Sequence, residues 1–139
     1  MKEIVKPHYQ DEDIQRINLC TDVNNWKSEL SLIEVENRFY AMLFKSKLID
    51  VTEINQQDIN FLIQELESLD KSNTSCLDRI LVFYNELEGM MECDDVQCDT
   101  YYLNNYQQFK VDMENHFHKN RYVKNLIYSY MKTGIKKFL

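Results

Sequence analysis

The chain is poor in the residues that turn a backbone. Among its 139 residues there are two glycines, Gly89 and Gly134, and one proline, Pro7. A sandwich or barrel needs a turn every few residues, so this scarcity argues against an all-β fold. Alanine is scarce too, with Ala41 alone. Any helices must therefore be held by packing of Leu, Ile, Phe and Tyr more than by intrinsic propensity. No apolar run approaches the ~20 residues that span a bilayer, and Met1-Lys2-Glu3 leads into nothing like a signal peptide. These absences predict a cytoplasmic protein without a membrane partner, whose cysteines (Cys20, Cys76, Cys93, Cys98) stay reduced.

Charge is short of one sign in two places. Residues 50–99 hold thirteen acids against Lys71 and Arg79, whereas residues 119–139 hold six bases and no acid. Side by side, the two segments would neutralise each other. The net charge of −7 disfavours non-specific binding to nucleic acid.

What is present is helical periodicity. Ile59, Leu62, Leu66, Leu69, Asn73, Cys76, Ile80, Phe83, Leu87 and Met90 follow one another at steps of three and four, with Asn73 the one strongly polar member. Such a seam asks for partner helices. The stretch Asp70–Ser75 has a loop-like composition, but the phase is the same before and after it, which favours one helix over about 51–92. A last helix is predicted from about Thr100, with a seam through Tyr102, Tyr106, Phe109, Met113, His116, Asn120, Val123, Ile127 and Tyr130, and Gly134 near its end. A first helix should start near Thr21 or Asp22, either of which can cap it. It carries two neighbouring seams, Leu32/Val35/Phe39/Met42/Ile49 and Trp26/Leu30/Ile33/Tyr40/Phe44, as a helix touching two partners would. Asp50 stands three before Glu53, with Ile49 and Ile54 flanking: a capping box with a hydrophobic staple that opens the second helix.

The predicted fold is all-α: an antiparallel bundle of three long helices with coiled-coil-like packing, or four to five helices if breaks fall at 71–75 and 119–120. Residues 1–20 form an N-terminal arm or short helix, and 21–139 the bundle domain. With the first helix beside only part of the other two, Ile80 to Met91 against Tyr101 to Met113 would be left for the arm or a second chain to cover.

Folding the two long seams about the turn at 93–99 brings Asn73 and Cys76 to the level of His116 and Asn120, with Asn25 and Ser28 nearby. This polar layer could set register, as buried polar groups do in coiled coils. Alternatively it could take a ligand or metal, since His and Cys are good ligands. If Asn73 merely interrupts the seam, Asn73→Leu would raise stability. Glu114 and His118 lie one turn apart, but the Glu-x-x-His pairs of a bundle metal site are missing, so neither metal nor cofactor is expected. There is no Gly-rich phosphate loop and no nucleophile elbow, and an enzyme is not expected.

The acidic turn Glu92, Asp94, Asp95 and Asp99 and the terminal Phe138 and Leu139 are candidate interaction residues. The expectation for function is a non-enzymatic cytoplasmic interaction or regulatory module with a protein partner, self-associating as a homo-oligomer. Two alternatives stand beside it: a ligand- or metal-binding bundle using the polar layer, and a small acidic inhibitor or immunity-type protein acting through the turn.

Overall fold

The computed structural model describes the backbone of residues 7–91 and 96–135, and the side chains of residues 17–86 and 100–135. Three long helices account for nearly all of it: α1 Pro7–Lys45, α2 Gln56–Met91 and α3 Val96–Gly134. At 1.5 Å per residue each is roughly 55–60 Å long. They pack up, down, up into an all-α bundle. α1 and α3 run parallel, so their pairs keep a nearly constant sequence separation: Asp22–Tyr106, Asn37–Lys124 and Tyr40–Tyr128 lie 84, 87 and 88 residues apart. α2 runs against α3, so Ser68 meets Lys119, Asn73 meets His116 and Arg79 meets Asp112.

α1 begins at Pro7, not near Thr21. Proline suits a first helical position, where its missing N–H would have no partner in any case. The reason for the early start lies on the inner face. Leu19, Val23, Trp26, Leu30, Ile33, Asn37 and Phe44 are buried at steps of three and four, with Tyr40 between the last two partly buried. The phase thus runs back past residue 21 without a shift. Residues 7–20 continue the first helix, and α1 matches its neighbours in length. Leu19, Val23 and Trp26 close over Ile80, Phe83, Tyr106 and Met113, the part of the long seams expected to be open. Trp26 stacks on Tyr106 at 6.0 Å between ring centroids.

The connection from α1 to α2 also corrects the expectation. Ser46 Oγ donates to the Leu43 carbonyl and accepts from the Leu48 N–H, and a 3-10 turn follows over Lys47–Val51. Thr52 closes that turn, its hydroxyl donating to the Ile49 carbonyl at 2.7 Å. The cap of α2 therefore falls five residues later than Asp50. Asn55 Oδ1 accepts the Asp58 N–H at 2.9 Å, and Ile54 and Ile59, the staple pair around this cap, join one core cluster. Ile49 is buried in that same cluster. The Glu53 N–H donates to the Gly134 carbonyl at 2.9 Å, which ties this connection to the end of α3. A Cβ on Gly134 would stand 2.5 Å from Ile54 Cγ1, so glycine serves here as the site of a close approach.

α2 runs unbroken through 70–75. The core divides into two clusters. One, rich in aromatics, gathers Trp26, Phe83, Tyr106 and Met113; the other, mostly aliphatic, gathers Leu62, Leu66, Leu69, Val123 and Ile127. Between them lie the buried polar residues Asn37, Asn73, His116 and Lys124.

Candidate functional site

The polar interior is two hydrogen-bonded groups in place of the single expected layer. In the first, Asn73 is fully closed to solvent. Its Nδ2 donates to the Leu30 carbonyl at 2.8 Å, and its Oδ1 lies 2.8 Å from His116 Nε2. Because Nδ2 is the donor to Leu30, Oδ1 must accept, and the His116 proton therefore sits on Nε2. Burial pushes the His116 imidazole below its ordinary pKa, with the Lys119 and Lys124 charges adding in the same direction. Asn73 and His116 thus meet as the seams predicted, and one residue of each helix is fixed opposite the other.

Cys76 and Asn120 do not join them. Cys76 packs into the aromatic cluster with Ile80 and Phe83, and burial raises its thiol pKa, which makes it a small hydrophobe and not a nucleophile. Asn25 and Ser28 are exposed. The α1 group at this level is the backbone carbonyl of Leu30, which no side-chain pattern could reveal.

Asn120 belongs to the second network, which centres on Lys124. The buried Nζ of Lys124 donates to Asn120 Oδ1 at 3.0 Å, Asn37 Oδ1 at 3.2 Å and Glu36 Oε1 at 3.4 Å. It also lies 5.7 Å from the centre of the Tyr40 ring. Burial lowers the Lys124 pKa, and the neighbouring Glu36 opposes the shift. Asn37, Glu36 and Lys124 went unrecognised in the sequence. Asn37 had a signal, as the lone polar residue on the seam from Leu19 to Phe44. Lys124 had none, because it stands beside its helix's seam and reads as a surface base.

Glu114 and His118 are exposed, and among the described residues no three His, Cys, Asp or Glu side chains gather. Glu92, Asp94, Asp95, Phe138 and Leu139 lie outside the described residues. Asp99 lies in the first turn of α3, and its side chain is outside the described ones.

The outer face of α1 supplies a second site of a different kind. Leu32, Val35, Phe39 and Met42 repeat at three, four and three, and they are 52, 62, 57 and 72 % exposed. At about 100° per residue this stripe stands almost opposite the inner seam. Glu29 and Glu36 border it on one side, Arg38 and Lys45 on the other. The two seams, expected to be neighbours on one broad apolar face, instead lie on opposite sides of α1. The bundle covers only the one through Trp26, Leu30 and Ile33, and Ile49 leaves the other for the 3-10 turn, where it is buried. Among the described residues no helix is long and apolar enough to cross a membrane.

Compared with family models, curated proteins and solved structures, the chain matches none.

Proposed function

We propose that this chain is a non-enzymatic, cytoplasmic interaction module that works as a homodimer, joined through the outer stripe of α1. The observation that carries the reading is the exposure of Leu32, Val35, Phe39 and Met42 at coiled-coil spacing. Contiguous exposed apolar surface of this kind marks interaction sites. The borders favour a second copy in parallel orientation. Under a two-fold axis along the helices, the Glu29/Glu36 edge of one chain faces the Arg38/Lys45 edge of the other. Antiparallel pairing would set acid against acid and base against base. The net charge of −7 fits a protein partner better than nucleic acid. Cys20 and Cys76 carry free thiols, which a reducing cytoplasm preserves.

A seam of four side chains per copy is a small interface, so the dimer should exchange with monomer as concentration falls. Sedimentation equilibrium across the micromolar range tests this. The wild type should shift from monomer to dimer, and Val35→Glu/Phe39→Lys should remain monomeric with an unchanged melting temperature. A wild type that stays monomeric throughout, or a double variant that still dimerises, rejects the reading.

A further inference from the structure

We propose that the cleft between α1 and α2 beside Asn37 binds a small zwitterion with an aliphatic side chain, the chemical class of a free aliphatic amino acid. Asn37 sits on the inner seam at 3 % exposure. Its Oδ1 accepts from Lys124, while its Nδ2 has no hydrogen-bond partner. A buried amide N–H left in that state has given up water without gaining a partner, which is unfavourable. Lys124 belongs to α3 and holds the oxygen to that side, and α2 lies on the other. A cleft of about 200 Å³ opens there, and Asn37 lines it.

The rest of the lining selects the ligand. Ala41, Ile63 and Leu66 give it an apolar floor. Arg38 and Lys45 stand on the α1 rim, Glu67 and Asp70 on the α2 rim. Among the described residues no ion pair joins the two rims: Arg38 turns along its own helix to Glu34 at 2.6 Å. Drug-sized ligands take pockets of roughly 300–1,000 Å³, so this cleft suits a metabolite of a few heavy atoms.

A lone carboxylate would satisfy the Asn37 N–H but meet Glu67 and Asp70. A lone amine would satisfy those acids and leave Asn37 unmatched, since Nδ2 only donates. A zwitterion answers both. Its carboxylate accepts from Asn37 Nδ2 and pairs with Lys45, its ammonium faces Glu67 and Asp70, and its side chain lies on Ala41, Ile63 and Leu66. The Lys124 ammonium on Oδ1 polarises the amide and strengthens Nδ2–H as a donor to an anion.

The test is a titration of the full chain with L-leucine, followed through the 15N-resolved side-chain amide of Asn37. Its two relatives lacking one charge, 4-methylpentanoate and 3-methylbutylamine, serve as controls. Leucine should move the Asn37 pair along a saturable curve, and each relative should bind roughly ten-fold more weakly or worse, as expected when one charge-assisted bond is missing. Glu67→Gln/Asp70→Asn changes only exposed rim residues and should weaken leucine by a similar factor with no change in melting temperature. Ala41→Leu should fill the floor and abolish the response while the polar networks stay intact. Three results overturn the proposal: no saturable shift with leucine, equal affinity for 4-methylpentanoate, or unaltered binding in the rim or floor variants.

Discussion

The inner and outer faces of α1 are built from similar residues at similar spacing, yet Leu30 is closed to solvent and Leu32, two positions on, is half open. Over residues 32–44 the outer face is even the more apolar. It reads Leu32, Val35, Phe39, Met42, while the inner face reads Ile33, Asn37, Tyr40, Phe44. Extent decides between them. The inner seam runs back through Leu30, Trp26, Val23 and Leu19, whereas the outer one gives way to Ser28, Asn24 and Thr21. Each large apolar side chain fully buried contributes roughly 1.5–3 kcal/mol. Two or three more of them on the inner face outweigh the cost of taking Asn37 inside. A helix with two apolar faces thus gives its longer one to its own chain and leaves the shorter one exposed.

Substitution should separate the faces clearly. Leu30→Ala should cost about 2–5 kcal/mol in urea unfolding, as buried leucines do, whereas Leu32→Ala in monomeric protein should stay within about 0.5 kcal/mol. Equal costs would mean that the outer stripe is covered in the isolated chain. Next in size comes the polar contact behind Leu30. Asn73→Leu leaves the His116 Nε2–H buried and unpaired, so it should destabilise by about 1–3 kcal/mol, contrary to the gain expected of a lone interruption. Asn73→Leu/His116→Leu should recover most of the loss, because both partners are then apolar. A double variant as unstable as the single one would show that shape, not the hydrogen bond, matters at this level.

The smallest effect is on pH dependence, and it marks the inner face alone. Burial holds His116 below the usual 6.5, so the unfolded chain takes up its proton first. The stability contributed by neutral His116 is complete above that value and is lost as pH falls through the folded-state pKa, at no more than about 1.4 kcal/mol per pH unit. Thermal melts of the wild type between neutral and mildly acidic pH should show this slope, and it should be absent from Asn73→Leu/His116→Leu. A slope that survives in the double variant would assign it to other groups.

Much of the bundle was legible because helical phase is local. The seam from Ile59 onward identified α2 as one helix despite the loop-like Asp70–Ser75, and counting from the short turn brought Asn73 to His116. The first helix was read less well. A start at Thr21 offers a good capping residue, but a cap is worth about 1 kcal/mol, and the burial of Leu19 upstream of it, roughly 1.5–3 kcal/mol, exceeds that. The opening of α2 was misplaced for a related reason. Asp50/Glu53 and Asn55/Asp58 are both plausible boxes, and the choice fell to the second once Ser46 and Thr52 had bound the backbone of the intervening turn.

The sequence by itself determined the class of fold, favoured three long helices with α2 continuous, and brought Asn73 and His116 to one level. Each follows from spacing along one helix or from counting across one turn. Only the tertiary structure decided which face of α1 lies inside, that Lys124 is buried against Asn37 and Asn120, and that Gly134 passes beside Ile54. These depend on burial summed over three helices and on the close approach of chain segments far apart in sequence, quantities that no single stretch contains.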